Sequence, residues 1–487
     1  MVKDDIESYH NYMDGEWVDS EEGEVFSVSD PADMEETIGE FQSSGEKDVE
    51  RAVEAALEAH KKWEKFTGSE RGKLLRETAK CLEERKEEMA ETLSREEGKT
   101  LTEATGEVQR AVDIFYYYAE KAKDIGGQIK ASSDRDRGLY TVKEPLGVVG
   151  LTTPWNYPIA IPAWKIAPAL ASGNTVVIKP ASLAPNVCRK LVECLDDVGL
   201  PDGVVNFVTG SGSTVGEAII GHEDIDAVSF TGSRKVGKRV YKKATETGKR
   251  VQTEMGGKNP MLIMEDADVE KAAEMVKNGA FGVTGQACTA TSRAIVHQDI
   301  YDEFVKAIKE KAETIEIGPG LEDPDMGPQV SEDELNSTME YIEAGKDEGA
   351  ELVCGGGVLT DGKHSNGYFV QPTVFSDVEP DMKIAQEEIF GPVLAVIKAE
   401  DYEEAVSIAN DVEYGLSASI VTEDLSRAHK FVEDIDSGVV KINEKTTGLE
   451  LHVPFGGLKA SSSETWREQG DAALDFYTIS KTVYLKY

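Results

Sequence analysis

Cysteine is scarce in this chain of 487 residues: Cys81, Cys188, Cys194, Cys288 and Cys354 are the full set. An odd, sparse set in a long chain argues against a disulfide framework. No CxxC or clustered Cys/His pattern is present and no histidines pair at i, i+4, so no zinc or other metal site is expected. Long apolar runs are also missing. The stretch 155–170 is broken by Pro158, Pro162 and Pro168 and is too short to span ~30 Å of hydrocarbon. The first residues are acid-rich and carry no apolar run, so they do not read as a signal peptide. Basic residues are in deficit: 52 Lys and Arg stand against 92 Asp and Glu, a net charge of −40. The acids are spread along the chain, which places them on a folded surface rather than in a tail. Such a surface repels nucleic acid and anionic membranes, so neither is an expected partner. It also repels itself, and salt would screen that repulsion. A salt-adapted cytoplasmic protein is the expectation.

The interior is ordinary. Hydrophobic residues make up 40% and there are 45 glycines, close together to the usual globular total of ~45–50%. The length suggests two or three domains at ~100–200 residues each. Residues 46–124 carry helical periodicity, with Val49, Val53, Ala56 and Leu57 on one face. Residues 126–150 change to alternating segments bracketed by Gly126-Gly127 and Arg137-Gly138, as in a β-hairpin arm.

From 146 to 254 short β-branched segments alternate with helical ones. The strands fall at 147–151, 175–179, 204–208, 227–230 and 250–254; the helices fall at about 159–172, 186–199, 213–221 and 234–247. This pattern predicts a parallel sheet covered by helices, with ligands at the carboxyl ends of its strands. A second α/β region runs from about 256 to 442, with strands at 261–264, 294–297, 418–421 and 439–442. The last residues form one more strand, which needs a partner from the 126–150 arm or from a neighbouring subunit. The fold class is therefore α/β: a Rossmann-like cofactor domain (1–125 and 147–255), an α/β catalytic domain (256–445) and a small β oligomerisation arm (126–146 and 473–487).

Four segments carry chemistry. In Gly285-Gln286-Ala287-Cys288 a thiol stands among small residues, where a substrate can approach; its thiolate is a strong nucleophile. Glu254 ends a strand before Gly256-Gly257 and can reach into a cleft as a base. Asn156, in Pro154-Trp155-Asn156-Tyr157-Pro158, offers an amide donor to an oxyanion. Phe230-Thr231-Gly232-Ser233 lies between a strand and a helix; Ser233 is positioned to cap that helix, whose N-terminus suits a pyrophosphate. Gly210-Ser211-Gly212 sits at a similar junction, although its spacing misses GxGxxG. Each alone has a plainer reading: a buried small residue, a surface acid, an Asn–Tyr turn, a helix cap.

Seven segments in one order are more specific. PWNYP, VVIKPAS (176–182), FTGS (230–233), EMGGKNP (254–260), GQAC (285–288), EEIFGPV (387–393) and PFGGLK (454–459) resemble the aldehyde dehydrogenase superfamily, and the resemblance covers most of the chain. It implies that Cys288 attacks the aldehyde carbon to give a thiohemiacetal, with Asn156 and the Cys288 N–H holding its oxyanion. Hydride then leaves to the nicotinamide of NADP or NAD, a thioester remains, and Glu254 activates the water that releases the acid. By the same resemblance Lys179 binds the adenosine ribose, and Trp155, Gly210, Gly232 and Ser233 lie around the adenosine and pyrophosphate. Glu388 holds the nicotinamide ribose, Phe390 packs on the nicotinamide, and Glu387 is structural. Many NAD-selective members carry Glu where Ser182 stands; its absence implies that NADP is accepted.

The segments at 159–182, 288–293 and 446–462 and the C-terminal REQG and DFYTISKTVY resemble the branch that oxidises 2,5-dioxopentanoate (α-ketoglutaric semialdehyde). Succinic semialdehyde or a broader aldehyde range is the alternative. Many succinic semialdehyde enzymes have Arg where Trp164 stands. Tyr157, Ile161, Trp164 and Phe455 are expected to line the substrate tunnel. The substrate carboxylate still needs a cation, for which Lys445 and Arg293 are candidates. A homodimer or homotetramer is expected. Residues 460–468 depart from the SGxGRE that many members carry, and the departure is expected to lie away from the nucleophile. A CoA-acylating relative and a catalytically silent protein of this fold are rivals that Glu254, Cys288 and Asn156 disfavour. A cofactor-free cysteine hydrolase is disfavoured because no motif puts a histidine beside Cys288.

Overall fold

A computed structural model describes residues 6–487. Its first large sheet has five parallel strands in the order Arg250–Glu254, Ala227–Thr231, Val148–Thr152, Thr175–Lys179, Val205–Phe207. The chain lays down Val148–Thr152 first and reverses direction beside it, so the switch point lies between that strand and Ala227–Thr231. A doubly wound sheet opens a ligand crevice at such a point. The strands are buried on both faces, as their β-branched runs require. Helices Ala160–Ala171, Asn186–Asp197 and Arg234–Glu246 make the crossovers.

Four helices fill residues 46–121: Glu46–Trp63, Gly68–Glu84, Lys86–Glu97 and Leu101–Lys121. Thr67 and Thr100 each close a capping box with a glutamate three residues on, which starts the second and fourth of them. Before them the sequence had suggested no strands, yet the structure has several. Asn11–Met13 and Glu16–Val18 extend the large sheet antiparallel, and Ser8–Tyr9, Val25–Asp30 and Asp33–Gln42 form a small sheet of their own. Three of these strands are only two or three residues long, too short for a period of two to register.

The second large sheet runs Glu351–Cys354, Thr373–Ser376, Val393–Ala399, Thr291–His297, Asn259–Ile263, Ser417–Val421, Val439–Ile442, all parallel except the first. The C-terminal strand Thr478–Lys486 finds its partner within the chain. It pairs antiparallel with Arg137–Pro145, which also pairs with Ile129–Lys130. The strand expected at 482–486 thus begins four residues earlier, and helix Gly470–Phe476, which precedes it, packs on helix Ala160–Ala171. This three-stranded arm leaves Ile129, Ile479, Tyr484, Leu485 and Tyr487 exposed. All five cysteines are free.

Candidate active site

Five candidate residues or segments sit at one edge of the first sheet. Asn156 follows Val148–Thr152, Lys179 ends Thr175–Lys179, Gly210 follows Val205–Phe207, Gly232 follows Ala227–Thr231, and Glu254 ends Arg250–Glu254. Parallel strands put all their carboxyl ends on the same side, and this is why residues a hundred positions apart converge.

Cys288 projects from a constrained loop. Val283 and Thr284 before it adopt positive φ of 52° and 55°, a conformation that β-branched residues rarely take. A Cβ at Gly285 would stand 2.3 Å from the Gly391 carbonyl oxygen, so glycine is required there. The loop is pinned from three motifs. The Asn259 amide donates to the carbonyls of Cys288 and Ala290, each at 2.8 Å. The Asn156 amide donates to the Gln286 carbonyl at 3.0 Å. Thr446 donates to the Thr289 carbonyl at 2.7 Å.

Cys288 and Glu254 open into the same cavity of about 460 Å³. That volume lies within the usual range for a small-molecule site, ~300–1,000 Å³. Tyr157, Ile161, Trp164 and Phe455 all line it, and the rings of Trp164 and Phe455 lie 6.3 Å apart. Burial, with the carboxylates Glu388, Glu254 and Glu468 nearby, pushes the Cys288 thiol up to about 12.

Glu254 is buried and shaped by the PFGGLK segment. It accepts the Gly457 N–H at 3.0 Å and the Ser462 hydroxyl at 3.2 Å. A side chain at Gly456 would meet its Oε1 at 2.5 Å. Burial and the Glu468 charge hold the Glu254 carboxyl well above the usual range. Ser462 belongs to the departing segment 460–468. That segment is expected to lie away from Cys288; it bridges to Glu254 and so touches the candidate base directly.

Behind Glu254 lies a buried network that motif reading missed. Lys165 donates to Ser229 Oγ at 2.6 Å and pairs with Glu468. The REQG segment that holds Glu468 was noticed only as a branch marker. Lys99 and Glu107 form a second buried pair at 2.7 Å beside Tyr157, with the Lys99 ammonium 4.3 Å from the ring centre. Arg110, on the same helix as Glu107, also lines the cavity; no motif pointed to it. Lys445 lines the cavity too, at an exposed position. Arg293 does not. It is fully buried and donates to the carbonyls of Lys258, Ile408 and Ala409, so it is a structural residue and no longer a candidate for the substrate.

Along the edge expected to hold the cofactor, Lys179 is buried and, among the described residues, its ammonium meets only the Pro180 carbonyl, at 2.6 Å. Burial lowers it to about 8. The hydroxyls of Thr152, Thr153 and Thr231 are buried without a hydrogen-bond partner. Ser182 donates to the Gly210 carbonyl at 2.9 Å. Ser233 occupies the N-cap position of helix Arg234–Glu246, but its side chain makes no capping bond; the cap expected there is absent. Glu388 accepts the Gly257 N–H at 2.9 Å, and a Cβ at Gly256 would strike its carboxyl group at 1.8 Å. Phe390 holds a positive φ of 60° and meets Trp155 edge-on, ring centres 5.3 Å apart. The residue expected near the adenosine thus touches the one expected on the nicotinamide. Glu387 accepts the Tyr341 hydroxyl at 2.9 Å at the surface.

Comparison with known proteins agrees with this geometry. The aldehyde dehydrogenase family model matches residues 17–483. An alpha-ketoglutarate semialdehyde dehydrogenase of Haloferax volcanii is 59% identical over 98% of this chain and 99% of its own length. An alpha-ketoglutaric semialdehyde dehydrogenase of Bacillus subtilis is 51% identical over 98% of each chain. The solved NAD+ complex of an aldehyde dehydrogenase from Bacillus cereus superposes with a TM-score of 0.95 at 37% identity, covering 99% of this chain and 97% of that one. The chain has the family's α/β fold, with a thiol and a carboxyl facing one cavity beside a nucleotide-type crevice, and it belongs to the aldehyde dehydrogenase family.

Proposed function

We propose that this aldehyde dehydrogenase oxidises 2,5-dioxopentanoate to 2-oxoglutarate, with NADP or NAD as hydride acceptor. The cavity carries the proposal: it joins Cys288 and Glu254 to an apolar passage and to three cations, of which Lys99 is paired with Glu107 and, among the described residues, Arg110 and Lys445 are not committed to a carboxylate. Relatives at 59% and 51% identity bear the name of that semialdehyde's dehydrogenase. Trp164 favours a passage without a charge at that point.

In the reaction the Cys288 sulfur bonds to the aldehyde carbon as its proton passes to solvent and the C=O pair moves onto oxygen, giving a thiohemiacetal oxyanion. The Asn156 amide and the Cys288 N–H are the donors for the oxyanion. Nicotinamide, when bound, supplies the acceptor for the hydride on that carbon. Glu254 takes a proton from water as the water's oxygen adds to the Cys288 thioester, and the thiol is the leaving group. The residues present fit a dinucleotide. Lys179 has donors to spare, the threonine hydroxyls lack partners, and Glu388 has one oxygen uncommitted by Gly257. Trp155, Gly210, Gly232 and Ser233 would flank the adenosine half, and Phe390 would pack on the nicotinamide. Ser182 offers a hydroxyl where a carboxylate would repel a 2′-phosphate, which favours acceptance of NADP.

The same proposal assigns residues 1–125 and 147–255 to cofactor binding, 256–445 to the nucleophile's domain, and 126–146 with 473–487 to an arm that joins a homodimer or homotetramer. The acidic surface belongs to an enzyme working in a salty cytoplasm. The test is an aldehyde panel with both cofactors at high KCl. The expected result is a kcat/KM for 2,5-dioxopentanoate well above those for succinic semialdehyde and uncharged aldehydes. Equal rates for unrelated aliphatic and aromatic aldehydes would sink the substrate assignment, and acyl-CoA as product would sink the role of water.

A further inference from the structure

The helix Leu101–Lys121 buries Ala104, Val108, Ala111, Val112 and Phe115 in the core. Glu103, Glu107 and Arg110 follow one another at spacings of four and three, so they share a stripe, and all three line the cavity. Both acids of the stripe are occupied. Glu103 accepts the N–H groups of Thr100 and Val283. Glu107 accepts those of Ile159 and Ala160 and pairs with Lys99. Arg110 is different. Among the described residues its one side-chain hydrogen bond goes to the Gln469 amide oxygen at 3.1 Å. Glu450 and Asp113 act on it through space, without ion-pair contact among the described residues.

This chain has 92 carboxylates for 52 cations. In such a surplus, a half-buried arginine that faces a cavity and has no carboxylate of its own is a vacancy for one. The other two cations that line the cavity, Lys99 and Lys445, are spent or peripheral. Lys99 is taken by Glu107 and the Asn156 carbonyl. Arg293 is taken by backbone carbonyls. Lys445 lies exposed.

We infer that Arg110 is the residue that holds the substrate carboxylate and so sets the preference for a carboxylated aldehyde. A guanidinium offers two parallel N–H donors to a carboxylate, and Arg110 has donors left after Gln469 takes one. With the carboxylate held there, the same cavity offers the apolar side chains of Ile161, Trp164 and Phe455 to the carbon chain that links it to the aldehyde. The inference rests on the proposed substrate, and its test separates the two.

The variant is Arg110→Gln, which removes the charge yet keeps a donor for Gln469. Arg110→Lys accompanies it, restoring charge without the fork. Wild type and both variants are assayed with 2,5-dioxopentanoate and with pentanal, an uncharged aldehyde of the same chain length. The readout is the ratio of the two kcat/KM values. In Arg110→Gln it falls about 10- to 100-fold, mostly through KM for the acid substrate, as expected for loss of a charge-assisted pair. Arg110→Lys recovers part of the ratio, and millimolar guanidinium added to Arg110→Gln recovers part as well. A purely structural role would lower both activities together and leave the ratio alone. If wild type prefers the acid substrate and Arg110→Gln keeps that preference within threefold, the carboxylate is held elsewhere and this inference alone falls. If wild type shows no preference, the substrate assignment falls and takes this inference with it.

Discussion

At Cys288 the proposed nucleophile is a thiol that its surroundings hold protonated. Burial and three neighbouring carboxyl groups push it up to about 12. A group whose pKa lies above the working pH gains its reactive, deprotonated form as pH rises. Iodoacetamide should therefore label Cys288 in the cofactor-free enzyme about tenfold faster per pH unit from 7 to 10, without a plateau. Mass spectrometry of the labelled peptide measures this; a plateau near pH 8 would mean that the thiol is not raised. The candidate site was readable at this scale because its residues lie in motifs, and the structure gives several of those motifs a physical reason. Gly456 and Gly457 leave room for Glu254 and bond to it, Gly256 leaves room for Glu388, and Asn259 pins Cys288. Arg110 was not legible. It is one arginine on an amphipathic helix, and only the fold shows that its stripe faces the cavity. Ser462 was missed for the opposite reason, because its segment departs from the familiar pattern.

At the scale of elements, the proposed cofactor groove is a row of strand ends, and the loops that follow them carry the candidate residues. Ser182 is three residues past the strand Thr175–Lys179, and its hydroxyl is bonded to Gly210 at the end of the neighbouring strand. Ser182→Glu would put a carboxylate where the 2′-phosphate of NADP is expected. Its kcat/KM with NADP should fall at least about 50-fold, on the scale of a like-charge contact of a few kcal/mol. The value with NAD should hold within a few-fold. An unchanged NADP/NAD ratio would show that this loop does not face the ribose. The alternating strands and helices from 146 to 254 were readable because fully buried strands are nearly continuous runs of Val, Ile and Ala. The short N-terminal strands were not, since pairs and triplets of residues gain their β-structure from the sheet they join. The partner of the C-terminal strand could not be chosen from sequence either; register with Arg137–Pro145 decided it.

For the whole molecule, charge and catalysis meet in one economy of carboxylates. A net charge of −40 on a compact surface destabilises the folded state by self-repulsion. At ~1 M salt the Debye length is only ~3 Å. The thermal midpoint should therefore rise by several degrees between 0.1 and 2 M KCl, read by scanning fluorimetry, and a flat or falling midpoint would remove salt adaptation from the account. Inside this acidic shell the proposed substrate is itself an acid, and on the proposed mechanism its oxidation passes through a covalent bond to Cys288. The most direct test is intact-mass analysis of Glu254→Gln, quenched after mixing with 2,5-dioxopentanoate and NADP. The account predicts one equivalent of reduced cofactor per active site and a 2-oxoglutaryl group on Cys288, because the thioester forms but water is not activated. Steady turnover with an unmodified Cys288, or an acyl group on any other residue, would contradict it.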